Sequence, residues 1–343
     1  MTIPATMRAL RQRSLHGPQD MFLITDAPVP RPGPGQVLIR VAAAGINFAD
    51  LSKSHGTFRD GPQPPYIAGF EAAGEIVALG DSVTGPALGA PVVGVGDGAF
   101  ADYMLLPAAA AVPVPDGWTC QHALGLLVNL PTALAALKLG GLDAGQTVLI
   151  HAAAGATGQA ATILAKHHGA TVIGTASPGK HETVLGLGAD HVLDSRATDL
   201  AVRVKQLTGD TGVDLVLESA GGSTFEHSLA AAKRVTGRVV VFGLAGGQAP
   251  VTNWDLVYKH QIQLIGLNIG VLIHAAPQLF GEIMGELLAL IAAGVLKPGV
   301  STAYDLADGS AALAELEARA TVGKLALLPR VGCPLTRHSI PLP

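Results

Sequence analysis

Over residues 1–120 the apolar positions come in short runs separated by Pro and Gly clusters, a pattern that predicts strands. Val37–Val41 (VLIRV) and Glu75–Leu79 are two such runs, and Ala99–Leu106 reads as another, stopped by Pro107. The stretch Pro28–Gly35 (PVPRPGPG) reads as an extended, turn-rich connector. Near residue 121 the pattern changes. A helix is expected over Gln121–Leu139, then a short buried strand Thr147–His151 (TVLIH) and a helix Thr157–His168. Strands Thr171–Thr175, His191–Leu193, Val213–Glu218, Arg238–Phe242 and Ile262–Leu267 follow. Helices Lys180–Leu187, Leu200–Leu207 and Thr224–Lys233 are interleaved with them. Such alternation predicts an α/β fold with a parallel sheet covered on both faces. Helices Leu279–Ala293 and Ser310–Ala320 and a last strand Lys324–Leu328 come after it, and the tail Gly332–Pro343 reads as loose.

Composition narrows the classes. A chain of 343 residues suggests two domains and can bury a large core. With 49% hydrophobic but only 4% aromatic residues, that core must be Ala, Val, Leu and Ile. The 43 glycines follow no fixed period, so they belong to turns and close backbone contacts. Twenty-two basic against 26 acidic residues leave no basic stripe for a phosphate backbone, which argues against nucleic acid. The mean hydropathy of +0.41 invites a membrane reading. However, Pro and charge cut the long apolar stretches, as at Pro107, Pro113, Glu282 and Glu286, and no segment satisfies the spanning rule. The first residues lack the apolar stretch of a secretory signal. Cys120 and Cys333 are the only cysteines, too few for a zinc knuckle, and a cytoplasmic protein with reduced thiols is expected.

The chemistry concentrates at one turn. Strand TVLIH runs into Ala152-Ala153-Ala154-Gly155-Ala156-Thr157-Gly158 and then a helix. A helix N-terminus offers backbone N–H groups to a phosphate, and glycines at 155 and 158 allow close approach and tight packing. Ala153 stands where the usual motif has its first glycine, so the alternative is a plain tight turn; the position opening a strand–helix alternation favours dinucleotide binding. In NAD-binding proteins an acidic residue about 20 residues on holds the ribose 2′-hydroxyl. Here the second strand ends in Thr175-Ala176-Ser177, with Lys180 following. Ser177 and Lys180 can offer a hydroxyl and a cation to a 2′-phosphate, which predicts NADPH; the other reading makes Lys180 a solvated helix residue.

His151–Gly158 (HAAAGATG), Gly45–Asp50 (GINFAD), Gly69-Phe70-Glu71 and Gly323-Lys324 together resemble the zinc-independent quinone oxidoreductases of the medium-chain dehydrogenase/reductase superfamily. The resemblance runs from about Met7 to Pro329. It implies a Rossmann doubly wound parallel sheet, residues 123–270, inserted into a β-rich chaperonin-10-like domain, residues 1–122 and 271–343, with the active cleft between them. It also implies Asn47 near the nicotinamide ribose and hydride site, and Thr132 beside the cofactor. Gly155, Ala156, Thr157 and Gly158 would hold the pyrophosphate, and Ser177 with Lys180 the 2′-phosphate. Phe242-Gly243 and Asn268-Ile269-Gly270 would line the nicotinamide half. A family tyrosine near the adenosine phosphate is replaced by Ser195-Arg196, so Arg196 is either a phosphate partner or a surface charge. Ser52 stands where some members have an active-site tyrosine.

Zinc-dependent relatives place a Cys and a His where this chain has Asn47 and Phe70, leaving only Glu71, here read as structural or hydrogen-bonding; no metal is expected. Without a Lewis acid, a conjugated acceptor such as a quinone or α,β-unsaturated carbonyl is the easier hydride acceptor, because its charge spreads over the π system. Asn47 and Ser52 are the catalytic candidates, Ser52 at most as a helper. The alternatives are an enoyl-thioester reductase of a polyketide-like pathway and a crystallin-like protein that binds NADPH without turnover. The apolar stretch Gln261–Gly270 is expected at a sheet edge, which invites pairing into a homodimer.

Overall fold

The computed structural model describes residues 2–299 and 301–329; the tail from Gly332, with Cys333, lies outside the described residues. Two units are present, one formed by the chain up to Leu127 and from Pro298 onward, the other by Val128–Lys297. The first begins with β1 (Thr6–Gln12), β2 (Met21–Pro28), β3 (Gln36–Ile46), α1 (Phe48–Ser54) and β4 (Tyr66–Ile67). It continues with β5 (Glu71–Leu79), β6 (Pro91–Val95), β7 (Tyr103–Pro107) and β8 (Val112–Pro113). The second unit runs α2 (Asn129–Leu139), β9 (Thr147–Ile150), α3 (Ala156–His167), β10 (Thr171–Ala176), α4 (His181–Gly186) and β11 (His191–Asp194). Then come α5 (Leu200–Leu207), β12 (Leu215–Glu218), α6 (Gly222–Ala231), β13 (Arg238–Val241), β14 (Gln263–Gly266), α7 (Ile269–Ala275) and α8 (Pro277–Ala292). The chain returns to the first unit with β15 (Thr302–Asp305), α9 (Gly309–Glu317) and β16 (Leu325–Leu328).

In the first unit one sheet has the order β15-β16-β3-β5-β6-β8, with β7 also on β3, and a second has the order β2-β1-β4. Leu10, Ile39, Ile76, Phe100, Met104 and Leu327 form its core. The register places the polar residues discussed below. Gly45 pairs with Glu71 across β3 and β5, and Leu325 pairs with Ile46 across β16 and β3, so Lys324 arrives beside Asn47. Both ends of the chain build this unit.

The second unit carries a six-stranded parallel sheet in the order β11-β10-β9-β12-β13-β14, the doubly wound Rossmann arrangement. Leu149, Val216 and Val239 are fully buried, as strands covered on both faces require. This unit runs to Lys297, past the expected limit at 270, because α8 packs on α2 and Glu286 pairs with Lys138 at 2.7 Å. Among the described residues no single helix is long and apolar enough to cross a membrane, although α7 and α8 pass that test jointly across a 116° bend.

Several elements differ from expectation. The helix expected from Gln121 begins only at Asn129, because Gly125 has φ +91° and its N–H is turned to the Glu71 carboxylate. The strand expected from Ala99 begins at Tyr103; Ala99 and Phe100 donate their N–H groups to Gly69 and Ala68 instead. Helix α1 has a legible origin: Asn47 starts it and Asp50, three residues on, takes the Asn47 N–H at 2.8 Å.

Candidate functional site

In the first unit, three side chains close a buried polar ring. The Lys324 ammonium donates to Glu71 Oε2 at 2.6 Å and to Asn47 Oδ1 at 2.7 Å, and Asn47 Nδ2 donates to the same Glu71 oxygen at 2.9 Å. The other Glu71 oxygen accepts the Gly125 N–H at 2.5 Å. Glu71 is wholly buried and the Lys324 side chain is 10% exposed. Gly45 makes room for the ring, since a Cβ there would lie 2.4 Å from Glu71 Oε2 and 2.9 Å from Lys324 Cε. The expected site residue Asn47 is therefore held by both of its amide atoms. Lys324, present in the Gly323-Lys324 motif, had no role in the sequence reading; its antiparallel register with β3 is what gives it one.

Beneath this ring Asp50 is buried, and burial pushes its carboxyl up to about 7, with the Asn47 N–H, Lys53 and Lys324 pulling the other way and Glu71 adding to the rise. Ser52 lies on the same helix, one turn beyond Phe48. Its hydroxyl donates to the Phe48 carbonyl at 3.3 Å, an ordinary bond back into its own helix.

In the second unit the residues expected at a nucleotide, Thr132 on α2 apart, follow the carboxyl ends of the parallel strands, where open α/β sheets bind ligands. Gly155 starts α3, and Ala156, Thr157 and Gly158 form its first turn. A Cβ at Gly158 would lie 2.3 Å from the Ala152 carbonyl oxygen and 2.7 Å from Ala153 Cα, so only glycine allows this packing. Asn129 Nδ2 donates to Thr157 Oγ1 at 3.1 Å, tying the start of α2 to the turn. Thr132 is buried on α2 and its hydroxyl donates to the Val128 carbonyl at 2.6 Å. Gly243, after Phe242 at the end of β13, approaches Ser219 so closely that a Cβ would lie 2.5 Å from the Ser219 oxygen. Asn268 caps α7, its Oδ1 accepting the Val271 N–H at 3.2 Å, so the Asn268–Gly270 segment opens a helix.

The segments after β10 and β11 carry cations. Ser177, Lys180 and His181 follow β10, and Arg196 follows the neighbouring β11. Lys180 is held below the ordinary lysine value by burial and by the Arg196 charge. Two cations side by side, with no carboxylate closing β10, suit the 2′-phosphate of NADPH. The N-terminal turn of α3, open to backbone approach, suits the pyrophosphate.

Zinc fits less well. At the two positions where zinc-dependent relatives have ligands, Asn47 is bonded to the Lys324 ammonium, and the Lys53 ammonium lies 4.4 Å from the centroid of the Phe70 ring. A divalent cation would need the oxygen atoms that Lys324 occupies, and a phenyl ring ligates nothing. Among the described residues no three His, Cys, Asp or Glu side chains gather in a metal-binding group.

Two family models match the chain: the alcohol dehydrogenase GroES-like domain over residues 33–116 and the zinc-binding dehydrogenase domain over residues 156–285. A rat protein named synaptic vesicle membrane protein VAT-1 homolog is 33% identical over 88% of this chain and 78% of its own length. Bovine prostaglandin reductase-3 is 36% identical over 90% of this chain and 83% of its own. The Escherichia coli quinone oxidoreductase complexed with NADPH is 30% identical and superimposes with a TM-score of 0.85, over 94% of this chain and 100% of that one.

Proposed function

Because the chain belongs to the medium-chain dehydrogenase/reductase superfamily as a quinone oxidoreductase-like member, we propose that it is an NADPH-dependent reductase. It reduces a quinone or another α,β-unsaturated carbonyl without a metal ion. The observation that carries this reading is the Lys324 ammonium seated on Asn47 and Glu71, in the place a metal ion would need. NADPH, when bound, supplies the hydride. Gly155 to Gly158 cradle its pyrophosphate, Ser177, Lys180 and Arg196 its 2′-phosphate, and Thr132, Phe242, Gly243, Asn268 and Gly270 its remaining length. A conjugated acceptor needs only hydrogen-bond donors and a dry, apolar surround for the anion it forms. The similarity to a prostaglandin reductase and a quinone oxidoreductase supports that substrate class. The test is NADPH oxidation followed with quinones, enones and enoyl thioesters in parallel. Turnover fastest with a quinone or enone supports the reading, and turnover confined to enoyl thioesters, or none at all, contradicts it.

In this reading no single side chain is an essential acid, because a reduced quinone takes its protons from water. Ser52, bonded into its own helix, is at most a helper. Ser52→Ala should keep most quinone reductase activity, whereas Asn47→Ala, which opens the ring to Lys324 and Glu71, should lose roughly tenfold or more in kcat/KM, the worth of a charge-assisted hydrogen bond. Loss of turnover in Ser52→Ala, with folding and NADPH affinity intact, would make Ser52 a catalytic group.

The assembly proposed is a homodimer. β14 is the last strand of the parallel sheet, and Trp254, Val257 and Tyr258 stand exposed on the segment that leads into it. Pairing of the edge across a two-fold axis would satisfy its backbone groups. Light scattering at micromolar concentration should give twice the chain mass; the mass of a single chain would contradict the proposal.

A further inference from the structure

Behind the nucleotide turn lies a buried chain of hydrogen bonds that the sequence reading did not anticipate. His151, the residue after β9, is 2% exposed, and Glu218 and Ser228 are wholly buried. His151 Nδ1 lies 3.1 Å from Thr175 Oγ1 on β10, and His151 Nε2 lies 2.9 Å from Ser228 Oγ on α6. Ser228 Oγ donates to Glu218 Oε2 at the end of β12. The other Glu218 oxygen accepts the N–H groups of Ala220 at 2.6 Å and Gly221 at 2.8 Å.

Donor accounting sets the direction of every link. Ser228 has one hydroxyl hydrogen, and of its neighbours the Glu218 carboxylate is a stronger acceptor than the Thr224 carbonyl at 3.1 Å or the His151 ring. Ser228 must then accept from His151, so Nε2 carries the ring proton. Nδ1 is left bare and accepts from the Thr175 hydroxyl. The ring is neutral in this arrangement. Burial lowers the His151 pKa, Glu218 opposes that shift and His227 adds to it. A second ring proton would place a donor opposite the Thr175 hydroxyl and force that hydroxyl to turn away.

We propose that the Thr175–His151–Ser228–Glu218 chain is the positioning device of the dinucleotide site, setting nucleotide affinity and leaving the hydride step alone. It ties the end of β12 to the ends of β9 and β10, the two strand ends that lead into the pyrophosphate and 2′-phosphate segments of the function proposed above, on which this inference rests. His151 acts through the turn it precedes, and Glu218 through the 220–221 backbone it holds. Adding a proton to His151 reverses its bond to Thr175 and puts a charge where burial favours the neutral ring, so affinity falls below the range in which an ordinary histidine titrates.

The probe is NADP+, which is stable in acid, titrated by calorimetry against full-length wild type, Ser228→Ala and His151→Gln. NAD+ is run beside it because it lacks the titrating 2′-phosphate. Ser228→Ala should raise the NADP+ Kd about tenfold, as for one lost buried hydrogen bond, while kcat with a quinone at saturating NADPH stays within about twofold of wild type. His151→Gln keeps a donor toward Ser228 and cannot ionise, so it should bind near the wild-type level at neutral pH and lose the wild-type weakening that sets in below the range of an ordinary histidine, where burial puts the His151 titration. An unchanged Kd in Ser228→Ala, a fall in kcat with Kd unchanged, or the same acid profile in His151→Gln and wild type overturns the proposal alone. Wild-type protein that binds no NADP+ overturns it together with the nucleotide reading.

Discussion

Lys324→Met is expected to destabilise the protein by about 3–5 kcal/mol, the cost of removing one partner from a buried ion pair. The cost comes from what remains. Glu71 is wholly buried, and without the ammonium its charge is left with the Asn47 amide and the Gly125 N–H as its hydrogen-bond donors. Adding Glu71→Gln to Lys324→Met should recover most of the loss, because the pair then leaves together and no buried charge is stranded. The check is denaturant unfolding of the two variants followed by fluorescence. A loss below about 1 kcal/mol in the single variant would mean that the pair behaves like a solvent-exposed one.

Lys180→Ala is expected to weaken NADPH binding roughly 10- to 100-fold, the range for a hydrogen bond to a charged group, and to leave NADH affinity nearly unchanged. The difference between the two cofactors is the 2′-phosphate alone, so only a residue that reads that phosphate separates them. Lys180 is half-buried at the end of β10, and Arg196 stands close enough to lower its pKa. A bound phosphate relieves that repulsion, so binding should also raise the affinity of Lys180 for its proton. Equal losses for NADPH and NADH would assign Lys180 to the general structure of the site instead.

The Rossmann half was legible because its code is local. Apolar strands of four to six residues alternate with helical blocks, and the helix at Leu200–Leu207 begins and ends where the pattern places it. The turn at Gly155–Gly158 was legible for the same reason, its glycines marking a contact with the preceding backbone. The β-rich half was harder. β1 has no clean alternation to announce it, and its polar Gln12 is wholly buried, with its amide nitrogen bonded to Ser14 and Gly17 carbonyls. Helix α1 was hidden by its shortness, although the Asn47–Asp50 spacing carried the signal.

The site was legible in its parts and not in its connections. Asn47 and Lys324 are 277 positions apart, and only the β16–β3 register brings them to 2.7 Å. His151 read as the last residue of a strand; its partners Thr175, Ser228 and Glu218 come from three other elements, and no local spacing links them. The helix expected from Gln121 failed for a related reason. Gly125 is claimed by Glu71, a contact across 54 positions that overrides local helix preference. Long-range polar contacts of this kind follow from topology, which is assembled only once the strands have paired.

The central claim is hydride delivery from NADPH to a conjugated acceptor by a site whose own ammonium stands where a metal would go. The most direct measurement is kcat/KM for NADPH and for NADH with a simple quinone, on protein dialysed against chelator and analysed for zinc. The account predicts turnover undiminished by the chelator, a preference for NADPH, and less than stoichiometric zinc. Activity that disappears with the chelator and returns with zinc, at one zinc per chain, would contradict it.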